Sequence, residues 1–147
     1  MIEAMNMAKV AFMNNEVPVG AIVVHNGEII GRGFNQVIEK NSVSSHAEIN
    51  AINQASKFLK NYRLNGCDMY VTLEPCHMCA KAIVDARINF LYFGANEPKT
   101  GAIESIDRFL DRDDLNHHVF YSGGHMQEQS SDLLKKFFQP KRAKRSL

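Results

Sequence analysis

The spacing of apolar residues predicts an alternation of helices and strands along the chain. Over the first 14 residues, apolar side chains recur at helical intervals, which indicates an opening helix. Two runs rich in β-forming residues follow, over 17–24 and 28–34. The Asn26-Gly27 pair between them supplies the positive φ of a tight turn, so these two strands should pair as an antiparallel hairpin.

The rest of the chain continues this alternation. Ser44 or Ser45 should supply the N-cap of the next helix, and Pro75 should open a later one, because its missing N–H costs nothing in a first turn. The predicted helices span about 44–59, 75–86, 103–110 and 127–138, and the predicted strands span 68–73, 89–94 and 119–122. This order predicts an α/β fold, in which a mixed sheet of about five strands is covered by helices on both faces.

Size and composition favour a single domain. The chain has 147 residues, 45% of them hydrophobic, which is enough to enclose one core. We assign residues 1–139 to the folded domain and residues 140–147 to a basic tail. No apolar run approaches the roughly 20 residues of a membrane span, and no secretory signal is recognised, so a soluble cytoplasmic protein without a membrane partner is expected.

Two of the three cysteines have a spacing that suits metal binding. Cys76 and Cys79 lie three residues apart at the start of a predicted helix, so both sulfurs can reach one ion. The amino end of a helix also stabilises thiolates. The pair alone is ambiguous, because thiol oxidoreductases place a Cys-x-x-Cys motif at a helix start as well.

The triplet His46-Ala47-Glu48 favours a catalytic metal site. One neutral imidazole and two thiolates give three ligands with one open position, which is the pattern of catalytic zinc. Zinc in such a site makes water a nucleophile at neutral pH, and a nearby carboxylate such as Glu48 can accept and redeliver its protons. Because residues two apart diverge on a regular helix, this role requires a bend near His46.

Simpler interpretations exist for each of these residues. A histidine at a helix start can be a capping or core group, and a glutamate in the first turn can serve the helix dipole. A purely structural Cys2His2 zinc site could also be closed by one of the other histidines, namely His77, His117, His118 or His125.

Taken together, the motifs carry a family resemblance. A His-x-Glu element followed by Pro-Cys-x-x-Cys is the signature of zinc nucleobase deaminases. Nearly the whole chain closely resembles the bacterial tRNA-specific adenosine deaminase family, which belongs to the cytidine and deoxycytidylate deaminase superfamily. The segments that carry the likeness are Glu16-Val17-Pro18-Val19-Gly20-Ala21, Asn61-Tyr62-Arg63-Leu64, Tyr70-Val71-Thr72-Leu73-Glu74-Pro75-Cys76, Phe93-Gly94-Ala95 and Lys99-Thr100-Gly101-Ala102.

The resemblance implies a fold, a cofactor and a reaction. The fold would be the three-layer α/β/α cytidine-deaminase-like fold, and one Zn²⁺ per chain would be bound by His46, Cys76 and Cys79. Glu48 would move protons while water attacks C6 of adenine and ammonia leaves, giving inosine at the wobble position of a tRNA anticodon loop. Such a loop suits the chemistry because its bases splay out at little unstacking cost.

The resemblance also assigns residues to the substrate and the partner. Asn35 would hydrogen-bond the target base, the backbone near Ala47 and Pro75-Cys76 would hold the substrate edge and the water, and Lys99 lies in a loop that favours RNA. Family members are usually homodimers whose anticodon groove includes side chains of the partner. The final helix would contact RNA through paired aromatics and a basic end, here Phe137, Phe138, Lys141, Arg142, Lys144 and Arg145. From composition alone, Phe137 or Phe138 could equally pack the helix onto the sheet, and the basic run could be a solvated tail.

Two positions depart from the family pattern. Glu97 stands where the family commonly has Asp, and Glu104 stands where Gly is frequent, so contacts to the ribose could differ in this chain. A zinc deaminase of free nucleosides, nucleotides or guanine is the alternative within the same class. A thiol oxidoreductase and a non-catalytic zinc-stabilised RNA-binding module are the alternatives outside it.

Overall fold

A computed structural model describes residues 1–146 of the chain, and side chains are described for residues 1–140. The four basic side chains after Pro140 therefore lie outside the described residues, and the boundary between domain and tail stays a prediction. The elements are α1 (Ile2–Met13), β1 (Gly20–His25), β2 (Glu28–Phe34), α2 (Ala47–Leu59), β3 (Cys67–Leu73), α3 (His77–Asp85), β4 (Phe90–Ala95), a 3-10 turn (Phe109–Asp111), β5 (Phe120–Ser122) and α4 (Gln127–Ser146).

The five strands form one mixed sheet in the order β2-β1-β3-β4-β5. Strand β1 runs antiparallel to both of its neighbours, while β3, β4 and β5 are parallel to one another. The predicted hairpin is confirmed: Gly20 pairs with Phe34, and Asn26 and Gly27 turn the chain with φ of 51° and 77°. A two-residue turn with both φ values positive matches the right-handed twist of the strands.

Helices cover both faces of the sheet, so the predicted three-layer α/β/α arrangement is confirmed. On one face α1 and α4 pack together, with Phe12 against Phe137. On the other face α2 and α3 enclose the main core with the inward side chains of the central strands. Helix α2 lies directly on the backbone of Gly31 and Gly33, where an added Cβ would collide with the helix.

Three sequence predictions are wrong in their detail. His46, not Ser44 or Ser45, is the N-cap of α2, and α3 begins at His77, two residues after Pro75. No helix spans 103–110; the described chain forms turns there and then the short 3-10 segment. The Ile106 and Phe109 N–H groups donate to the carbonyl groups of Gly101 and Ala102, five and seven residues earlier, so the four-residue spacing of a helix is not formed.

The topology brings the ends of several strands to one edge. Because β2 and β3 are both antiparallel to β1, they run in the same direction, and both are followed by helices that begin at that edge. In open α/β sheets, ligands bind outside the carboxyl ends of the strands. No helix in the described part of the chain is long and apolar enough to cross a membrane.

Candidate active site

Two helix N-termini face each other at this edge. His46 is the N-cap of α2 and Cys76 is the N-cap of α3, and both residues have extended backbone, with ψ of 156° and 176°. The extended conformation at His46 supplies the bend that the spacing of His46 and Glu48 required. Cys79 lies in the first turn of α3 and Glu48 in the first turn of α2.

The structure brings the three predicted metal ligands together. The Nδ1 atom of His46 lies 3.4 Å from Sγ of Cys79 and 3.7 Å from Sγ of Cys76, and the three ligand atoms all lie within 4.8 Å of one another. Tetrahedral coordination, with zinc about 2.3 Å from sulfur and about 2.05 Å from nitrogen, requires a sulfur-to-nitrogen separation of about 3.6 Å. The donor set therefore fits a zinc ion.

No fourth protein ligand completes the cluster among the residues described. The histidines that could have closed a structural site have other contacts: Nε2 of His77 pairs with Asp107, Nε2 of His117 with the Ile88 carbonyl group, and Nε2 of His125 with the Ser122 hydroxyl group. His118 packs edge-on against Phe120. The closed Cys2His2 interpretation is therefore wrong, and a metal ion held by these three ligands would keep one position for water or substrate.

The electrostatics of the cluster favour a thiolate. Hydrogen bonding from Cys79 and from His46 outweighs burial and lowers the pKa of Cys76 to about 4. The hydrogen bond with Cys76, followed by burial, raises the pKa of Cys79. The hydrogen bond with Cys76 raises the pKa of His46 as well. A metal ligand must be deprotonated at sulfur, so the lowered pKa of Cys76 favours metal binding, whereas Cys79 would have to lose its proton when a metal binds.

Glu48 is a buried carboxyl group beside the ligands. It is 4% exposed, and burial raises its pKa above the ordinary value. A raised pKa makes a carboxyl group a better proton donor than an exposed glutamate, as a group that both accepts and donates protons requires.

The cluster opens into a cavity of about 490 Å³, which is within the usual range for small-molecule sites. His46, Glu48 and Cys76 line it from the metal side. Asn35 also lines the cavity, and its Oδ1 atom accepts a hydrogen bond of 2.8 Å from the backbone N–H of Ala47. The remaining lining residues are Asn15, Glu16, Val17, Val19, Val37, Ile38, Leu73, Glu74, Thr100, Phe137 and Phe138.

Comparison with known proteins decides the family. The model of the MafB19-like deaminase family matches residues 1–142. The tRNA-specific adenosine deaminase of Agrobacterium fabrum is 45% identical over 135 residues, covering 92% of this chain and 89% of the relative. The tRNA-specific adenosine deaminase of Rickettsia typhi is 43% identical over 145 residues, covering 97% and 98%. The chain belongs to the tRNA-specific adenosine deaminase family.

A solved structure agrees with this assignment. It comes from work on A-to-I editing by tRNA:A34 deaminases at the wobble position of transfer RNA, and it matches the present deaminase with a TM-score of 0.88 and 44% identity. The match covers 91% of this chain and 97% of the other. Both the layers and the connection of the elements are therefore shared along nearly the whole deaminase.

Two of the four predicted substrate residues, Asn35 and Lys99, line adjoining cavities, whereas Ala47 and Pro75 are buried and line neither. Lys99 lines a second cavity of about 680 Å³, which shares Leu73 and Phe138 with the first. Pro75 is buried, and its carbonyl oxygen accepts a hydrogen bond of 2.9 Å from the Ala102 N–H. Pro75 therefore ties the 96–105 loop to the start of α3.

The two aromatic residues of α4 differ in their environment. Phe137 is 7% exposed and packs edge-on against Phe12, whereas Phe138 is 37% exposed. Both line the first cavity, and Phe138 also lines the second. Phe137 thus contributes to the packing of α4 on α1, while part of the Phe138 ring is accessible to a substrate.

Sequence reasoning missed two buried carboxylates of this deaminase, Glu16 and Glu74. They are 2% and 3% exposed, and both line the first cavity. Burial alone would raise the pKa of Glu74, but hydrogen bonds from Ser105 and from backbone amides lower it to about 2. Both residues stand in segments that carry the family resemblance, which is the signal that could have found them.

The two departures from the family pattern lie in the same loop. The Glu97 carboxylate accepts a hydrogen bond of 2.9 Å from the Lys99 N–H, so it folds back within the loop. Glu104 is exposed. Their effect on ribose contacts stays a prediction.

Proposed function

We propose that this deaminase hydrolyses adenosine to inosine at the wobble position of a tRNA anticodon loop. One observation supports the chemistry above all others: an open set of three donor atoms and a buried glutamate converge in one cavity. The substrate is proposed because the relatives, at 43% to 45% identity, are tRNA-specific adenosine deaminases.

His46, Cys76 and Cys79 would hold a zinc ion. The spacing of their donor atoms suits tetrahedral coordination, and the thiolate of Cys76 supplies negative charge to the site. When bound, zinc supplies the Lewis acidity that makes water a competent nucleophile at neutral pH.

Glu48 would carry the protons of the reaction. Its carboxylate would accept the first proton of the attacking water and deliver it to N1 of the base. It would then accept the proton of the new hydroxyl group at C6 and deliver it to the departing amino group. Adenosine and water are thereby converted into inosine and ammonia. Glu48 lines the cavity beside His46 and Cys76, and its burial raises its pKa, which favours proton donation as well as acceptance.

Asn35 and the two adjoining cavities would select the substrate. Asn35 lies beside the metal ligands and can hydrogen-bond the edge of a flipped base. Lys99 and Lys135 line the second cavity, where their charges can meet the phosphates next to that base. An anticodon loop presents a base edge and its neighbouring phosphates together, because its bases are already unstacked.

We also propose that the protein acts as a homodimer, as the family resemblance implies. Large apolar side chains are exposed at the end of α2 and in the segment after it, where Phe58 is 62% and Tyr62 is 68% exposed. Exposed apolar groups of this size favour a covered interface. Sedimentation equilibrium should give twice the chain mass, and a mass of one chain at micromolar concentration would contradict the dimer.

The function is tested by incubating the zinc-loaded protein with bulk tRNA and sequencing the product, since inosine is read as guanosine. A transcript with guanosine at the wobble base is the matched control and should release no ammonia. Free adenosine, cytidine and guanine are assayed in parallel. Deamination of a free base or nucleoside without any change in tRNA would refute the proposed substrate.

A further inference from the structure

We infer that Glu16 and Glu74 are positioning residues, each of which fixes one wall of the substrate cavity by binding the backbone amides of a loop. Because the substrate of that cavity is the adenosine of the proposed function, this role rests on that proposal. Neither residue belongs to the metal cluster or transfers the protons of the reaction.

Glu74 binds both ends of the 96–105 loop. Its Oε1 atom accepts hydrogen bonds from the Asn96 side chain at 3.2 Å, the Glu97 N–H at 3.0 Å and the Ser105 hydroxyl group. Its Oε2 atom accepts from three consecutive amides, those of Ile103 at 3.0 Å, Glu104 at 2.7 Å and Ser105 at 2.9 Å. One carboxylate therefore holds the two ends of the loop together.

The residues between the two bound ends face the substrate cavities. Thr100 lines the first cavity and Lys99 lines the second. Gly101 follows them, and an added Cβ there would lie 2.6 Å from Oε2 of Glu74. The glycine of the Lys-Thr-Gly-Ala segment is thus explained by the close approach of the Glu74 carboxylate.

Glu16 binds the loop after β2 in the same way. Its two oxygens accept hydrogen bonds from the Ile38 N–H at 3.1 Å and the Glu39 N–H at 2.9 Å. Ile38 and the neighbouring Val37 line the first cavity. The cavity is therefore bounded by two loops, and each is tied to a carboxylate that is at least 97% buried.

Hydrogen-bond donors, and not cations, stabilise the charge of both carboxylates. Among the described residues, neither Glu16 nor Glu74 takes part in a salt bridge. A carboxylate accepts hydrogen bonds on both oxygens, whereas a glutamine amide replaces one acceptor with a donor. Glu→Gln at either site would therefore place two donors against each other and leave buried amides without a partner, although the side chain keeps its shape.

The anchoring is tested by hydrogen exchange of the zinc-loaded protein. In Glu74→Gln, amides of 96–105 should exchange at least about tenfold faster while those of 36–42 are unchanged, and Glu16→Gln should give the reverse pattern. Glu104→Gln, which alters an exposed carboxylate of the same loop, is the matched control. Gly101→Ala places a methyl group against the Glu74 carboxylate and keeps its charge, so it should give the same exchange pattern as Glu74→Gln. This variant replaces Glu74→Gln in the test if Glu74→Gln does not fold.

The positioning role is tested by kinetics on an anticodon stem-loop. Glu74→Gln should lower kcat/KM roughly 10- to 100-fold, mainly through KM, with one zinc per chain retained. Glu74→Asp keeps the charge and should recover part of the loss, which a purely structural defect would not predict.

Two results would overturn the inference: unchanged exchange in 96–105 of Glu74→Gln, or faster exchange there with an unchanged KM. A wild-type protein that produces no inosine would contradict the proposed function alone, because the exchange measurement does not depend on turnover.

Discussion

The Oδ1 atom of Asn35 accepts a 2.8 Å hydrogen bond from the backbone N–H of Ala47, the residue between the metal ligand His46 and the acid Glu48. The end of β2 is thereby joined to the first turn of α2. This hydrogen bond uses the oxygen of the amide and leaves its NH₂ group as the part of Asn35 that can recognise a base.

Asn35→Asp and Asn35→Ala should separate the hydrogen bond to Ala47 from the recognition of the base. The aspartate keeps an oxygen for Ala47 and should remain as stable as wild type, but it loses the NH₂ donor, so KM for tRNA should rise about tenfold. The alanine removes both groups and should cost about 1 kcal/mol of unfolding free energy in addition. Equal stability of the two variants would show that the hydrogen bond to Ala47 is unimportant.

Glu48→Gln should bind zinc normally and lose most of its turnover. The amide has the shape of the acid but cannot accept a proton, so kcat should fall by about 10²- to 10⁴-fold. Metal content by mass spectrometry and inosine formation under single-turnover conditions measure the two properties separately. A variant that kept its rate would exclude Glu48 as the proton carrier.

Removal of the metal should abolish activity and lower the melting temperature together. A ligand that binds only the folded state stabilises it in proportion to the logarithm of its concentration over Kd. Cys79→Ser should lose zinc, whereas Cys67→Ser, which alters a buried cysteine outside the cluster, should keep one zinc per chain. Chelation followed by zinc addition should restore the wild-type melting temperature, and full activity of the chelated protein would contradict the metal site.

The features that sequence reasoning predicted well are those with a local cause. The hairpin follows from Asn26-Gly27, and the convergence of His46, Cys76 and Cys79 follows from the spacing of the cysteines with a histidine at another helix start. The helical periodicity of α1 and the alternation of strands and helices indicated the layers, because burial of an apolar face decides them.

The features that it missed depend on contacts between distant residues. Apolar residues over 103–110 suggested a helix, but the segment is bound by Glu74, about 30 positions earlier, and its Ile106 and Phe109 amides donate to carbonyl groups five and seven residues earlier instead of four. The N-cap at His46 could not be separated from Ser44 or Ser45 by propensity alone, since serine is the better capping residue. Whether Phe137 or Phe138 is buried depends on where Phe12 lies, which no local pattern states.

Phe137→Ala should mainly lower stability, whereas Phe138→Ala should mainly weaken tRNA binding. Phe137 is buried against α1, so its truncation should cost about 3 to 5 kcal/mol of unfolding free energy. Phe138 is partly exposed and borders both cavities, so its truncation should leave stability within about 1 kcal/mol but weaken tRNA binding. Urea denaturation and a binding titration for both variants decide the matter, and two equally destabilised proteins would assign both rings to the core.

Charge removal at the end of α4 should change the salt dependence of tRNA binding more than it changes stability. If Lys141, Arg142, Lys144 and Arg145 bind phosphates, replacing all four with glutamine should flatten the plot of log K against log salt concentration by about 0.7 for each phosphate that is no longer neutralised. Lys81→Gln with Arg112→Gln is the control, because these exposed side chains line neither of the two cavities. A slope that changed equally per charge in both variants would show only a loss of general attraction, and an unchanged slope would make the basic end a solvated tail.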